Sequence, residues 1–303
     1  MKWKFTGKRQ KKQKRILMID GKLIKVYNNQ NSLSRIIVKF LILNIISITL
    51  IGQGTDFANY SYKPDKDYIK SYWEATKKIA TGPCHWKRKE WKIAGTLVVA
   101  GAAIIIFDDE IRQVFQNNKN SSLDFTSKYV FEPWGSGVYP AILFGGYYIY
   151  GLAAKNKRAR QIALGGTQAF IMAALSSQGL KHIFHRQRPN QNNPPNPYLW
   201  EGPFTGFNYT SFPSGHTTAA FAIASMMSLV YKDKIWVGIL SYGLATGVGL
   251  SRVYDNKHWP SDVLVGAALG YAIGRTVYSI ISQESKFTMG ISNTGVSVAY
   301  RIE

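Results

Sequence analysis

Long segments without a charged side chain dominate this sequence between residues 93 and 282. Six of them, 12 to 20 residues long, are rich in Gly, Ala, Ser and Thr, which lets helices pack closely. Their residues do not alternate between apolar and polar as they would in β-strands. The sequence therefore predicts an all-α fold, a bundle of about six core helices that is membrane-embedded or membrane-associated. The segments are Ile93–Phe107, Gly137–Ala154, Gln161–Leu180, Pro213–Tyr231, Ile235–Ser251 and Val263–Gly274, the last continuing to about Ser282.

The lengths of these segments leave the relation to a membrane open. A helix that crosses a bilayer needs about 20 apolar residues, and only some of the segments are long enough. A tightly packed soluble bundle fits the same pattern. The mean hydropathy of −0.13 is low for a chain that lies wholly in lipid, although the polar termini lower this average.

The N-terminal region carries much of the positive charge. Of the net +21, residues 1–54 contribute +11, from twelve Lys or Arg and one Asp. The stretch KRQKKQKR (8–15) is also typical of a nucleic-acid-binding arm. Because the apolar run 36–51 follows, we interpret it as a basic leader before a cleaved signal or an uncleaved anchor, and expect no nucleic-acid partner. GQG (52–54) resembles a signal-peptidase site, and a start at Met18 would shorten the leader.

The predicted domain organisation has four parts. The leader with its signal or anchor (1–54) precedes a polar and aromatic segment (55–90), which we interpret as irregular or amphipathic. The helical domain (91–285) follows. The tail (286–303) alternates apolar and polar residues around SNTG, which predicts a short C-terminal β-hairpin. Cys84 is the one cysteine of the chain, so we expect no intramolecular disulfide and no Cys-rich zinc site.

Two basic residues mark the end of the third segment, within KHIFHRQRP (181–189). Lys181 and Arg188 are seven residues apart, about two helical turns, so they share a helix face for as long as the helix lasts. Pro189 disfavours helical geometry at Arg188 and is predicted to end the helix there. In isolation this cluster is also typical of a solvated or headgroup-facing helix end, with His182 and His185 as rim residues.

The fourth segment opens with FPSGHTTAAF (212–221). Ser214 is a natural N-cap residue, and Gly215 lets the backbone approach a ligand closely. His216 falls in the first helical turn, where amide groups without an internal partner form an anion-binding site. A capped helix with an incidental histidine fits the same residues.

SRVYDNKHWPSD (251–262) joins the last two segments. Arg252 ends one helix, and Pro260 suits the first turn of the next. Asp262 then lies one turn from the loop that holds His258. A carboxylate at that position can accept the proton of one ring nitrogen and leave the other nitrogen free to attack. A surface loop with a His–Asp pair is the alternative interpretation.

The three clusters fall at the same end of an antiparallel helical array. The C-terminal ends of the third and fifth segments share a side with the N-terminal ends of the fourth and sixth. Three cations, a helix N-terminus and two histidines, one of them with a carboxylate, would therefore meet in one pocket. Such a pocket suits a tetrahedral oxyanion whose bond is cleaved by a nucleophile and an acid.

The motifs KxxxxxxRP (181–189), PSGH (213–216) and SRxxxxxHxxxD (251–262) resemble the three signature motifs of the type 2 phosphatidic acid phosphatase family, in order and spacing. That family shares its fold with bacterial class A acid phosphatases and vanadium haloperoxidases. The resemblance covers about residues 90–285. It implies a phosphoric monoester hydrolase that cleaves a phosphomonoester or diphosphate through a phosphohistidine intermediate.

The resemblance also implies a role for each motif residue. His258 is the nucleophile, Asp262 orients its imidazole, and His216 protonates the leaving alkoxide before helping water to hydrolyse the intermediate. The phosphoryl oxygens are then held by three cations and a helix start, namely Lys181, Arg188, Arg252, Ser214 and Gly215. Three fixed cations can supply the charge compensation that Mg²⁺ supplies elsewhere, so we expect no metal and no other cofactor.

The loop at 190–212 carries six aromatic residues, which indicates either a lipid interface or ordinary packing anchors. We therefore expect a lipid phosphate or isoprenoid diphosphate as substrate, in the cell envelope. The basic connections 87–92, 155–160 and 232–234 are expected to be cytoplasmic if the bundle spans a membrane, so that the pocket faces the periplasm or the outside. A cleaved leader at 36–54 would export the whole domain, which also puts the pocket outside the cytoplasm.

Three other functions fit parts of the sequence. A vanadium-dependent haloperoxidase uses the same pocket for vanadate, although such chains are generally longer. A non-specific soluble acid phosphatase has the same fold. A membrane protein that binds anionic lipid or nucleic acid through residues 1–35 would explain the basic leader but not the three clusters. The sequence predicts no oligomeric state.

Overall fold

The computed structural model describes residues 15–19, 22–26, 61–203, 205, 209–282, 287–292 and 295–300. The predicted signal or anchor at 36–54 lies outside these residues and stays a prediction. By its internal contacts the chain divides into two units, Met1–Ile51 and Gly52–Glu303, and the helices belong to the second.

The second unit is built from helices, and each of the six uncharged segments forms one. Four of these six helices, α2, α7, α9 and α10, extend past the uncharged stretch into flanking charged residues. The predicted all-α bundle is therefore confirmed. In chain order the helices are α1 (Lys66–Thr81), α2 (Arg88–Ile106), α3 (Asp108–Asn117), α4 (Ser121–Thr126), α5 (Glu132–Gly135), α6 (Val138–Ala153), α7 (Lys157–Phe184), α8 (Gly215–Val230), α9 (Ile235–Tyr254) and α10 (Pro260–Ile281).

Helix α1 forms within the segment that the sequence left as irregular or amphipathic. Asp65 caps it, since its carboxylate accepts a hydrogen bond from the Tyr68 amide at 3.1 Å. One face is buried and carries Tyr68, Ser71 and Ala75, which are three or four residues apart as an amphipathic helix requires. The Tyr68 hydroxyl donates to the Leu164 carbonyl oxygen at 3.1 Å, so α1 is anchored on α7.

Helix α3 is a second element that the sequence did not predict. It begins directly after α2 with its axis bent by 60°. The break is at Phe107, where the backbone leaves helical geometry (φ −102°, ψ 8°). The bend carries Asp108 towards the start of α10, where its carboxylate accepts a hydrogen bond from the Ser261 amide at 2.8 Å.

Helix α8 lies at the centre of the bundle and packs against α7, α9 and α10. Its contact with α10 depends on Gly266, Gly270 and Gly274, which recur every fourth residue. A Cβ atom at any of these positions would collide with a backbone carbonyl of α8 or of its N-cap residue. The two helices consequently run side by side at close range, with both N-termini at the same end of the bundle.

Both ends of the described chain contain a two-stranded antiparallel hairpin. The predicted C-terminal hairpin is confirmed, with β3 (Phe287–Ser292) paired to β4 (Gly295–Tyr300). An N-terminal hairpin, β1 (Arg15–Ile19) with β2 (Lys22–Val26), lies in the stretch interpreted only as a basic leader. Asp-Gly between its strands is a strong hairpin signal in the sequence.

By length and composition, one helix within the described ranges could cross a membrane, namely α10. The bent pair of α2 and α3 would be a second candidate if its two parts form one span. α6 and α8 are apolar but shorter. About 39% of the apolar window in α10 is buried inside the protein, so this helix also serves as core.

Candidate active site

Four helix ends meet at the candidate site: the C-terminal ends of α7 and α9 and the N-terminal ends of α8 and α10. The Ser214 amide donates to the Asp262 carbonyl oxygen at 3.1 Å, which joins the starts of α8 and α10. The His258 amide donates to the Arg252 carbonyl oxygen at 3.3 Å, which folds the connecting loop onto the end of α9. This arrangement brings the three sequence motifs to one end of the bundle.

The end of α7 differs from the prediction. The helix stops at Phe184, because His185 adopts a left-handed conformation (φ 44°) and its amide closes the last turn on the Lys181 carbonyl at 2.9 Å. The prediction that the helix continues to Arg188 is wrong. Lys181 extends from the helix and Arg188 from the loop, yet the two positive charges remain close enough to act on each other.

Arg188 is partly buried, and its Nη2 lies 3.3 Å from the Thr210 hydroxyl. Burial, together with the positive charge of Arg252, lowers the pKa of Arg188 below its usual range, while Asp262 acts in the opposite direction. A guanidinium has such a high ordinary pKa that it stays charged at neutral pH. Arg188 is therefore a fixed cation at the site.

His185 is not the rim residue that the sequence suggested. It is buried, with 2% of its surface exposed, and its Nδ1 lies 2.8 Å from the Gly202 carbonyl oxygen. Its neighbour His182 is only half-buried. The left-handed turn at the end of α7 explains the difference, because the chain reverses at His185 and meets the loop that carries Gly202.

The start of α8 faces the ammonium group of Lys181. Ser214 occupies the N-cap position, but its hydroxyl accepts a hydrogen bond from the Thr217 hydroxyl at 2.9 Å and forms no cap bond to the helix amides. A Cβ atom at Gly215 would lie 3.8 Å from Lys181 Nζ. The amide groups that open α8 and a buried ammonium are thus adjacent, an arrangement suited to an anion.

His216 lies in the first turn of α8, against α5. A Cβ atom at Gly135 would approach the His216 Cβ to 2.6 Å, so α5 packs directly on this side chain. The positive charges of Arg252, Lys181 and Arg188 all act on its imidazole, and so does His258. Burial, followed by the positive charge of Arg252, lowers the pKa of His216 to about 3.

Arg252 is buried in the last turn of α9. Its Nη2 forms an ion pair with Asp255 at 2.7 Å, and its Nε donates to the Ser251 hydroxyl at 3.2 Å. The carboxylate of Glu132, on α5, also acts on this guanidinium. These contacts hold the side chain in place at the end of α9.

The His258 ring is buried in the loop before α10, with Nδ1 towards Asp262 and Ser211. The Asp262 Oδ2 atom lies 3.7 Å from Nδ1, beyond hydrogen-bond range, and the Ser211 hydroxyl lies 3.5 Å from it. Ser211 donates to Asp262 Oδ2 at 2.5 Å, so its hydroxyl contacts the carboxylate and lies beside the ring nitrogen. Burial, aided by Lys181 and Arg188, lowers the pKa of His258 to about 4, against the opposite effect of Asp262.

Three residues that the sequence analysis missed complete the environment of Asp262: Ser211, Arg186 and Asp108. The Arg186 side chain is fully buried and forms ion pairs of 2.6 Å with both Asp108 and Asp262. Arg186 lies inside the first motif, where the sequence does not distinguish it from the other basic residues at a helix end. Asp108 is far away in sequence and is typical of the acidic first turn of a helix, so no local signal indicated its place near the site.

The aromatic residues of the 190–212 loop divide into packed and exposed ones. Trp200 and Phe212 contact each other and Phe184, with ring centroids 5.0 to 6.1 Å apart, so they act as packing anchors. Tyr198 is 59% exposed. Phe204 and Phe207 lie outside the described residues.

Comparison with known proteins identifies the family. The model of the PAP2 superfamily matches residues 164–286. The decaprenylphosphoryl-5-phosphoribose phosphatase of Mycobacterium tuberculosis is 32% identical over 133 residues, which are 44% of this chain and 68% of that protein. The chain belongs to the PAP2 superfamily. The PAP2 match contains the whole predicted site and leaves Asp108 outside.

Two further proteins are similar to this chain. The lipid A 1-phosphatase of Porphyromonas gingivalis is 33% identical over 111 residues, 36% of this chain, and the match spans only 21% of that relative's length. The crystal structure of a transmembrane PAP2-type phosphatidylglycerolphosphate phosphatase from Bacillus subtilis aligns with a TM-score of 0.46 and 23% identity. That alignment covers 64% of this chain and 94% of the other.

Proposed function

We propose that this chain is a phosphatase that removes a phosphoryl group from a phosphorylated lipid. The observation that carries the proposal is that Lys181, Arg188 and Arg252 belong to the helix ends and loop that meet at the open N-terminus of α8, where a Cβ atom at Gly215 would lie 3.8 Å from Lys181 Nζ. Buried positive charges are costly unless an anion pairs with them. A tetrahedral phosphoryl group offers several negative oxygens to such a cluster.

The proposed reaction proceeds through His258. With a pKa near 4 its imidazole is neutral at pH 7, and with Nδ1 turned to Ser211 and Asp262 its Nε2 can attack. Attack forms the Nε2–P bond and breaks the bond from phosphorus to the leaving oxygen, which receives a proton through His216. Because burial and the charge of Arg252 lower the pKa of His216 to about 3, this proton enters the site with the monoanion of the phosphate ester, and His216 passes it to the leaving oxygen. His216 then accepts a proton from water, whose oxygen attacks phosphorus and releases phosphate from His258.

The proposal includes independence of metal ions. Phosphoryl transfer depends chiefly on positioning and charge compensation, which the three cations can supply. Within the described ranges, no group of three or more His, Cys, Asp or Glu side chains is placed to hold a metal ion. Activity is therefore expected to persist in EDTA.

Exposed apolar side chains support a lipid substrate and a membrane location. Val98 and Val99 on α2 are 70% and 69% exposed, Ile149 on α6 is 67% exposed, and Ile235 and Ile239 on α9 are 79% and 69% exposed. Faces of this kind on several helices indicate contact with lipid or another apolar surface. The relatives named above carry names of phosphatases with lipid or lipid-linked substrates.

The positions of the basic connections support a site that faces away from the cytoplasm. The KRKEWK stretch starts α2, and the KNKRAR stretch starts α7, while the other ends of these helices reach the candidate site through Asp108 and Lys181. KDK lies between α8 and α9, again at the end opposite the site. Basic residues favour the cytoplasmic side of a membrane. The site would then open to the periplasm or the outside.

A phosphate-release screen of the purified chain in detergent or vesicles tests this proposal. The substrates are phosphatidic acid, phosphatidylglycerophosphate, undecaprenyl diphosphate and a soluble phosphate ester, each with and without EDTA. We expect release from at least one lipid, unchanged by EDTA. Release restricted to the soluble ester would contradict the lipid assignment, and complete loss in EDTA that metal reverses would contradict the metal-independent mechanism. Bromide oxidation with added vanadate and no phosphate release would instead indicate a haloperoxidase.

A further inference from the structure

A buried ion-pair network lies behind Asp262, on the side of its Oδ1 atom, whereas Oδ2 faces His258. Arg186 Nη1 contacts Asp262 Oδ1 at 2.6 Å, and Nη2 contacts Asp108 Oδ2 at 2.6 Å. All three side chains have 0% exposure. One guanidinium therefore serves two carboxylates. Burial raises the pKa of Asp108, against the opposite effects of Arg186 and Ser261, and with Asp108 ionised the group as a whole carries one net negative charge.

Each member of this network is held by further contacts. Arg186 donates to the Pro197 carbonyl oxygen from Nε at 3.1 Å and from Nη2 at 2.8 Å, and it lies 4.7 Å from the Trp200 ring. Asp108 accepts hydrogen bonds from the Ser261 amide at 2.8 Å and from its hydroxyl at 2.6 Å. The network thereby ties together the end of α7, the 190–212 loop, the start of α3 and the start of α10.

The two oxygens of Asp262 have separate roles in this geometry. Oδ1 accepts the hydrogen bond from Arg186. Oδ2 accepts hydrogen bonds from the Ser211 hydroxyl at 2.5 Å and the Trp259 amide at 2.9 Å, and it faces His258. Rotation of the carboxylate would break at least one charge-assisted bond. The orientation of Oδ2 towards His258 is consequently set by Arg186 from behind.

We propose that Asp108 and Arg186 are a positioning pair that fixes the orientation of Asp262 and keeps its negative charge available to His258. This inference rests on the proposed function. Arg186 alone would cancel the charge of Asp262, so that the imidazole would face a neutral pair. Asp108 neutralises Arg186 instead and leaves one negative charge next to the ring.

The net charge matters because the His258 ring becomes positive when it attacks phosphorus. The charged or titratable groups that act on it are Lys181 from α7, Arg188 from the loop, His216 from α8 and Asp262 from α10. Asp262 is the one negative group of this set. Replacing Asp108 by Asn leaves Arg186 paired with Asp262 alone, which removes that stabilisation without touching the phosphate-binding cations.

The test measures kcat and KM for phosphate release by full-length Asp108→Asn, Arg186→Gln and the double variant. Asp109→Asn is the matched control, because Asp109 is the adjacent carboxylate, pairs with Arg112 at 2.9 Å and lies outside the network. We expect kcat of Asp108→Asn to fall roughly ten- to hundredfold, as for other residues that orient a functional side chain, with KM within about twofold. Asp109→Asn should match the wild type.

The double variant and the pH profile separate positioning from mere structural support. Removing both charges restores the net negative charge, so the double variant should be at least as active as Asp108→Asn, whereas independent losses would multiply. The acid limb of kcat/KM should move to lower pH in Asp108→Asn, because a lost negative charge disfavours protonated His258, and to higher pH in Arg186→Gln.

Circular dichroism and thermal melting accompany each variant. If Asp108→Asn does not fold, the Arg186→Lys variant tests the positioning role instead. Lys keeps the positive charge but cannot bridge two carboxylates, so kcat should fall while the acid limb of kcat/KM stays in place. A wild-type kcat in folded Asp108→Asn or in Arg186→Lys overturns the inference. So does a double variant whose loss of kcat is the product of the two single losses, if the acid limb of kcat/KM also stays in place in the single variants. If the wild-type chain itself releases no phosphate, the proposed function fails; if it does and Asp108→Asn resembles Asp109→Asn, only the positioning pair fails.

Discussion

The two sides of the His258 ring balance their charges in different ways. Behind the ring, Asp262, Arg186 and Asp108 pair with one another at 2.6 Å and are fully buried. In front of it, Arg252 pairs with Asp255, while Lys181 and Arg188 form no ion pair with any residue that the structure describes. The rear network is complete without a ligand, whereas the front cluster needs an anion to offset its positive charge.

This difference indicates which side is built for a substrate. A satisfied, rigid network suits the support of a reacting group, and an uncompensated cationic cluster beside free helix amides suits the recognition of a phosphoryl group. Substitutions in front of the ring should therefore abolish or strongly reduce turnover, and substitutions behind it should reduce turnover more moderately. The following predictions test this order.

The largest effect is expected for His258→Ala. Loss of the nucleophile should reduce kcat on the order of 10⁴-fold or more, since losses of this size follow removal of a nucleophile that acts with its partners as a unit. His85→Ala is the control, because His85 is exposed and its Nδ1 contacts only the local Thr81 carbonyl at 2.8 Å. Turnover near the wild-type value in His258→Ala would remove the proposed nucleophile from the mechanism.

Arg252→Ala should have the next largest effect. An arginine that stabilises a transferring phosphoryl group is worth on the order of 10³-fold in kcat or more. Arg275→Ala provides the comparison, since Arg275 is exposed on α10 and its Nη1 contacts the Tyr271 hydroxyl at 3.2 Å. Steady-state kinetics with one lipid substrate suffice. Equal activities of the two variants would show that the front cluster does not hold the phosphoryl group.

Ser211→Ala should reduce kcat by roughly ten- to hundredfold with little change in KM, because Ser211 helps to orient Asp262 and the His258 ring and takes no part in holding the phosphoryl group. Ser225→Ala is a matched control. Ser225 is also fully buried and donates to a backbone carbonyl, that of Tyr271, at 3.0 Å. A loss as large as that of His258→Ala would contradict the distinction between front and rear.

The smallest effect is expected from moderate acidification. The pKa of His258 is lowered to about 4, so its ring stays neutral as pH falls from 7 to about 5 and becomes protonated only near pH 4. After correction for ionisation of the substrate, kcat/KM should be nearly constant above pH 5 and fall below it. An acid limb at the ordinary histidine pKa of about 6.5 would contradict the buried, cation-flanked environment of the ring.

Sequence patterns predicted the architecture better than the details around the site. The uncharged segments predicted six helices, and the motif spacing predicted which of their ends carry chemistry. The end of α7 was misplaced because no sequence rule indicated the left-handed conformation at His185. Arg186 was overlooked because a buried arginine and a solvated one look alike in sequence.

Asp108 and Ser211 show a second limit. Asp108 meets Ser261 across 153 positions of sequence, and that contact exists only because α3 bends away from α2 at Phe107. Ser211 precedes the second motif and carries no signature of its own, although its hydroxyl contacts Asp262 and lies near the His258 ring. Side chains that act through another residue are defined by tertiary contacts, which neither hydropathy nor motif spacing records.

Direct detection of the phosphorylated enzyme tests the central claim most sharply. Wild-type protein is mixed with radiolabelled substrate, quenched in alkali within milliseconds and digested, and the labelled peptide is identified by mass spectrometry. We predict phosphate on the peptide that contains His258, stable in alkali and lost in acid, as phosphohistidine requires. Label on another residue, or turnover without any labelled enzyme at every quench time, would contradict the account.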